Sequence, residues 1–230
     1  MSNAVARIYG GRPVGKGEYP ECCLIGTKNP NTSIDWFCTG VLIHRRIVLT
    51  AAHCSIRQIN TVALNCEDED VLVDAEIIPT NRPRNHPNYS TTGGLYDISV
   101  LILKEPSNIP PVKIASTEQL NQANKTTLVG FGTNTASADS GLGIKREAEV
   151  DITHIRRSSE DNLDVAEINL DFESDLEFVA GGGGVDSCRG DSGGPAYIMV
   201  NGNRELAGLT ARVAGRPTTL CGEGGVYTRV

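Results

Sequence analysis

The ten residues Asp186-Ser187-Cys188-Arg189-Gly190-Asp191-Ser192-Gly193-Gly194-Pro195 limit the possible folds more than any other stretch of this chain. They place one serine between glycines, next to two acids and a cysteine, with almost no bulk. Glycine weakens a strand interior and offers nothing to pack, so this run is not a core strand. It suits a tight turn that aims backbone N–H groups and one hydroxyl outward. Ser192 is therefore a candidate nucleophile. A serine hydroxyl is weak at neutral pH and needs a base within hydrogen-bond reach, itself oriented by a third group. The rest of the chain must supply those partners.

Around this turn the 230 residues read as short β segments separated by turn signals. The first set covers 22–26, 40–43, 47–49, 61–64, 71–78 and 95–103. The second covers 127–131, 144–152, 163–169, 177–180, 195–200, 205–213 and 225–230. No stretch has a helical period of useful length. Residues 79–94 are rich in Pro, Asn, Thr and Gly and read as a surface loop. Pro106 to Pro111 breaks the chain and 112–124 is polar, so a linker is expected here between two all-β units of similar size. A hydrophobic content of 39% is enough for a sizeable core.

The formal net charge of -7 argues against a nucleic-acid partner, which needs a basic footprint. No apolar run approaches the roughly 18 residues of a spanning helix, so no membrane partner is expected. Seven cysteines, none in a CxxC pair, point away from a zinc ribbon and towards an exported, disulfide-bearing protein, secreted or periplasmic. Seven is odd, so at least one thiol is free or paired with another chain. Met1-Ser2-Asn3-Ala4 lacks an apolar signal core and reads as an expression remnant in place of a removed signal. No cofactor or metal is expected. The cluster Glu67-Asp68-Glu69-Asp70 is either a solvated surface or a calcium loop, with a spacing unlike an EF-hand. Sequons at Asn31, Asn88 and Asn124 are given no role.

Of four histidines, His53 stands apart, because Thr50-Ala51-Ala52-His53-Cys54 packs small residues around one imidazole. Cys38 could staple that turn to the neighbouring strand. Asp97 opens the otherwise apolar run Ile98 to Leu103. A carboxylate there is either exposed at a strand edge or hydrogen-bonded, since burying it unpaired is expensive. Arg7 precedes Ile8-Tyr9-Gly10-Gly11, which is either a loop entering a strand or a processing site. His53, Asp97 and Ser192 would act as base, orienting acid and nucleophile, in the chain order His, Asp, Ser.

These motifs resemble the trypsin/chymotrypsin family of serine endopeptidases. The resemblance rests on Thr50 to Cys54, Asp97 to Leu101 and Gly190 to Pro195, with Ile8 to Gly11 similar to the activated amino terminus and Gly225 to Val230 similar to the last strand. It implies an all-β fold of two six-stranded antiparallel barrels, residues 8–112 and 113–230, with the active site in the cleft between them. It implies catalysis by His53, Asp97 and Ser192, and an oxyanion hole from the Gly190 and Ser192 amides. Residues 1–7 would be the remnant and an activation segment. Cleavage after Arg7 by an activating protease would free the Ile8 ammonium to pair with Asp191, so the uncut chain would be a zymogen. Asp186 would lie at the base of the primary specificity pocket and favour Arg or Lys, with Ala211, Val213 and Gly225 in its walls. Disulfides Cys38–Cys54 and Cys188–Cys221 are implied, and Cys66 would pair with Cys22 or Cys23. Partners would be protein or peptide substrates and protein inhibitors.

Three departures qualify the resemblance. Ala211-Arg212-Val213 replaces a Ser-Trp-Gly run. Val213 narrows the pocket entrance as in elastase-like enzymes, and Arg212 adds a positive charge near the subsites preceding the cleaved bond. Val179 stands where a cysteine is common, beside the Gly181 to Gly184 loop, so the pocket loop is expected to be mobile before activation. The chain stops at Val230, where relatives continue into a carboxy-terminal helix, so a further segment is expected. A protease-like binding protein without catalysis is the alternative class.

Overall fold

The computed structural model describes residues 8, 10–30, 33–92, 94–133, 142–158, 161–219 and 221–230. A two-residue strand β1 (Arg12–Pro13) is followed by seven strands. They are β2 (Cys22–Lys28), β3 (Ile34–His44), β4 (Ile47–Thr50), β5 (Thr61–Leu64), β6 (Glu76–Pro79), β7 (Arg84–Asn85) and β8 (Ser99–Ile102). The later strands are β9 (Lys125–Gly130), β10 (Arg146–His154), β11 (Glu177–Ala180), β12 (Pro195–Val200), β13 (Asn203–Val213) and β14 (Gly225–Arg229).

The first sheet runs β6-β5-β2-β3-β4-β8-β7, with antiparallel pairings throughout. An antiparallel bridge between Thr80 and Leu103 joins the far ends of β6 and β8 and curls the sheet on itself. Its interior holds Ile25, Leu42, Val48, Val62, Leu64 and Leu101, all buried. The second sheet runs β1-β10-β11-β14-β13-β12-β9, and β10 also pairs with β9, which closes a six-stranded barrel with β1 on its outside. Closure leaves the barrel strands no unpaired edge. Together these are the mostly β, two-barrel architecture expected, and the short Arg12–Pro13 strand attaches the chain's start to the second sheet.

Three local expectations are corrected. Residues 163–169 do not form a strand: α2 (Asp164–Leu170) is helical, and it follows α1 (Thr117–Gln122) in the linker. Leu163, Ala166 and Leu170 recur at three and four residues and pack on Phe172, Val179, Ala214 and Val226, a helical spacing that seven residues were too few to reveal. Asp171 ends that helix in the left-handed region. Of 71–78 only Glu76–Pro79 is strand, because Asp68 bridges Val71 and Ile144 and folds the preceding residues into turns. Cys66 does not pair with Cys22 or Cys23, and all three thiols are free and buried. Cys66 lies past the end of β5 with its sulfur 3.4 Å from the Ala63 carbonyl, while Cys22 faces the Val129 carbonyl at 3.9 Å. Burial pushes the Cys66 thiol up to about 11.

Candidate active site

The strand β4 delivers the chain into a 3-10 turn (Ala52–Ile56) that carries His53. Ala51 and Ala52 are fully buried, so the turn sits tightly on the first barrel while His53 remains partly exposed. Cys38 on β3 and Cys54 form a disulfide with a Cα–Cα distance of 6.4 Å, which ties this turn to its neighbouring strand. Asp97 precedes β8, which pairs with β4, so the two meet across one strand pair. Both its oxygens are used. Oδ1 accepts from the His53 backbone N–H at 2.8 Å, and Oδ2 lies 2.6 Å from His53 Nδ1. The two contacts fix the imidazole by its ring and by its backbone. Thr228 on β14 donates its hydroxyl to the Asp97 carbonyl at 3.4 Å, joining the second barrel to this pair.

Ser192 comes from the second barrel, yet its neighbours belong to the first. Its carbonyl accepts from the Thr39 N–H at 2.9 Å and lies 3.7 Å from Cys54 Sγ. The next residue makes this approach possible. A Cβ on Gly193 would collide with Thr50 Oγ1 and lie 2.6 Å from the Thr39 carbonyl oxygen, and its φ of 76° is one that L side chains rarely adopt. The Ser192 turn is thus docked against the residues that lead directly into His53. Among the described residues the Ser192 hydroxyl makes no hydrogen bond.

The turn itself is held by Asp191 N–H to the Cys188 carbonyl (3.0 Å), Gly194 N–H to the Asp191 carbonyl (2.7 Å) and Gly193 N–H to the Thr210 carbonyl (2.8 Å). The Gly190 carbonyl accepts from Thr39 Oγ1 at 2.9 Å. The Gly190 and Ser192 amides donate to no acceptor among the described residues. Donors left in this state suit a developing oxyanion.

The Asp191 carboxylate is buried, accepting from the Gly132 N–H and the Cys188 N–H, each at 2.8 Å. Burial raises its pKa to about 7, opposed by those two N–H groups and by the charge of Arg146. Gly130 and Gly132 make the space: a Cβ on Gly130 would strike Asp191 Oδ1, and one on Gly132 would lie 2.5 Å from Oδ2. The sequence reading placed Gly130 in a strand, where β9 has it, and gave neither glycine a role beside Asp191. The signal was the Gly-Phe-Gly at the end of an apolar strand, where glycine has no packing use. Ile8 is buried in the second barrel's core beside Ala148, Val150 and Phe178. Gly10 lies against the Gly184 carbonyl and Val185. Arg7 lies outside the described residues.

Asp186 is fully buried. Oδ1 accepts from the Ser187 N–H (2.6 Å), the Ser187 hydroxyl (3.3 Å) and the Tyr227 hydroxyl (3.2 Å), and Oδ2 from the Gly224 N–H (2.9 Å). Burial nevertheless raises its pKa to about 6. A Cβ on Gly225 would sit 3.0 Å from Oδ1, so glycine there leaves room for the carboxylate. Val213 pairs with Gly225 across the sheet and is 38% exposed, while Ala211 is buried. Cys188, two residues after Asp186, forms a disulfide with Cys221. Arg212 makes a two-pronged ion pair with the buried Glu177 (2.6 and 2.8 Å) and donates to the Asp171 carbonyl. Neither Glu177 nor Tyr227 was singled out in the sequence, because partners on separate strands leave no local pattern. Among the described residues, Cys38, His53 and Cys54 are the one cluster close enough to hold a metal ion, and its two sulfurs are bound to each other.

A family model described as Trypsin matches residues 8–230. A trypsin of Saccharopolyspora erythraea is 29% identical over 232 residues, covering 97% of this chain and 93% of that protein. Alpha- and beta-fibrinogenase OhS1 of Ophiophagus hannah is 30% identical over 234 residues, 97% of this chain and 82% of that protein. Glucanase inhibitor protein 4 of Phytophthora infestans is 31% identical over 200 residues, 79% of this chain and 71% of that protein. The family match runs from Ile8 to the last residue and takes in both barrels and the turn between them, and the chain belongs to the trypsin family of serine endopeptidases.

Proposed function

We propose that this chain is a secreted endopeptidase that cuts peptide bonds after Arg or Lys, working through an acyl-enzyme on Ser192 and activated by cleavage after Arg7. The observation that carries the reading is the His53–Asp97 pair, with both carboxylate oxygens engaged, beside a serine turn whose two outward amides are uncommitted. Ser192 Oγ attacks the substrate carbonyl carbon and its proton passes to His53 Nε2. Asp97 holds Nδ1–H, which keeps the ring in the right tautomer and stabilises the imidazolium. The Gly190 and Ser192 amides receive the oxyanion. The tetrahedral adduct collapses, the C–N bond breaks, and His53 gives its proton to the departing amine. Water then attacks the acyl carbon, losing its proton to His53, and the Ser192 oxygen leaves and takes that proton back.

Asp186 supplies the pocket's negative charge and a charge-assisted contact for a guanidinium or ammonium. Two disulfides favour an oxidising compartment. Residues 8–112 and 113–230 serve as the two halves of one peptidase unit. An activating protease and protein inhibitors are the partners this reading calls for. Specificity for small side chains is the second reading, favoured by the exposed Val213 opposite Gly225. Binding without catalysis is favoured by the name of the Phytophthora infestans relative alone.

The test is a peptide panel that varies the residue before the scissile bond, read before and after cleavage at Arg7, with Ser192→Ala as control. Turnover of Arg and Lys peptides that appears on cleavage and vanishes in Ser192→Ala is expected. No Ser192-dependent turnover defeats catalysis. Turnover of Ala or Val but not Arg peptides defeats the basic specificity.

A further inference from the structure

We infer that Arg146 acts inside the uncut chain as a positioning residue for the Ser192 turn, holding the Asp191 carboxylate in place before any new amino terminus exists. The inference deepens the activation proposal above and rests on it. Among the described residues Arg146 heads the large, fully buried side chains. Burying a guanidinium is costly and is repaid by opposite charge or good hydrogen bonds. Its location is set by register. In the β9–β10 pair Arg146 lies directly opposite Gly130, the glycine whose missing Cβ leaves room for the Asp191 carboxylate.

One residue, Gly132, links the two charges through its N–H and its carbonyl, which belong to successive peptide groups. Arg146 Nη1 donates to the Gly132 carbonyl at 3.3 Å, and to the Ile144 carbonyl at 2.9 Å. The Gly132 N–H donates to Asp191 Oδ1 at 2.8 Å. The guanidinium therefore fixes the position of the residue whose N–H holds Asp191 Oδ1. The charge of Arg146 also draws the Asp191 pKa down against the effect of burial. Asp191 in turn fixes the adjacent turn: its own N–H and carbonyl bond to Cys188 and Gly194. The Gly190 carbonyl already faces Thr39 Oγ1, an arrangement that leaves the Gly190 amide directed elsewhere. A cation already placed behind Asp191 lowers the cost of forming this turn while Ile8 is still joined to the preceding residue. The uncut chain then has basal activity, and cleavage adds to it.

The test uses the full chain in four forms. Arg7→Gln blocks cleavage, and each of the uncut and cleaved forms is prepared with and without Arg146→Gln. Turnover of a basic peptide substrate is read together with the rate at which a fluorophosphonate labels Ser192. The uncut Arg7→Gln chain is expected to turn over substrate. Arg146→Gln should cut that kcat by about tenfold or more, with little change in KM, through loss of an ordered oxyanion hole. The cleaved enzyme, supplied with its own ammonium, should lose less than about threefold. Arg146→Lys, which keeps the charge, should restore much of the uncut activity and guards against a variant that merely fails to fold. Undetectable activity in uncut Arg7→Gln overturns the inference. So does an equal loss in uncut and cleaved forms, which marks a structural role. The activation reading fails on a separate comparison, equal activity of the uncut and cleaved forms with Arg146 in place.

Discussion

If Asp186 supplies the charge of the proposed specificity pocket, acidification should remove that charge while the rest of the site still stands. Asp186 is buried among its own hydrogen-bond donors, and desolvation outweighs those donors enough to raise its pKa to about 6. A cationic ligand binds the ionised form. At pH 8 that form is about 99% of the protein and at pH 5 about 9%, so the dissociation constant should rise about elevenfold, or ~1.4 kcal/mol. Benzamidine is a suitable probe, since its amidinium stays charged throughout and binding needs no step at His53. Its inhibition constant should be flat above pH 7 and weaken below 6, approaching tenfold per pH unit. Asp186→Asn should bind it poorly at every pH and lose the slope, which separates Asp186 from any other titrating group. The ligand-free protein should show the opposite trend in stability. An acid whose pKa is raised on folding contributes stability that is complete below about pH 4 and is lost as pH rises through about 6. Asp186→Asn should therefore raise the Tm at pH 8 but not at pH 4. An inhibition constant that does not change between pH 8 and 5 would refute the pocket assignment, and so would a slope that survives Asp186→Asn.

Other perturbations address the frame around the serine. Asp97→Asn can still accept from the His53 backbone, but it presents an N–H to Nδ1 and favours the wrong tautomer. The fall in kcat should be about 10⁴-fold, the magnitude known for the equivalent change in the Ser-His-Asp template, with the folded structure unchanged by circular dichroism. Gly193→Ala forces a Cβ into Thr50 Oγ1 and the Thr39 carbonyl at a φ of 76°. It should cost about 2–3 kcal/mol by denaturant unfolding and slow Ser192 labelling, because the serine turn must move away from His53. Glu177→Gln leaves Arg212 without its buried counter-charge and should destabilise by about 3 kcal/mol. A double change, Glu177→Gln with Arg212→Leu, should recover much of that loss in the same unfolding measurement.

The short strands were legible because β-rich runs alternate with Gly, Pro and Asn on a scale of ten residues. The proposed trio stands out in the sequence because each member lies in a local run whose composition is wrong for ordinary packing: small residues around His53, a carboxylate opening an apolar strand, glycines around Ser192. Residues 163–169 were misread because two turns of helix give too few repeats to separate from a half-buried strand. The Cys66 pairing failed for another reason. Three cysteines near two adjacent strands suggest a bridge, but the direction of each thiol depends on register and on where β5 ends.

Sequence alone determined the chemical inventory and its order along the chain, since these are properties of local runs and of backbone preference. Only the tertiary structure decided what meets what. The Ser192 turn lies against the first barrel because Thr39 and Thr50 receive it. The Asp191 carboxylate fits because β9 ends at Gly130 and Gly132 follows two residues on, with Arg146 placed opposite Gly130 by register. The Asp186 pKa depends on Gly224 and Tyr227, some forty residues further along the chain. Burial and hydrogen bonding between distant segments are set by packing, and no local pattern encodes them.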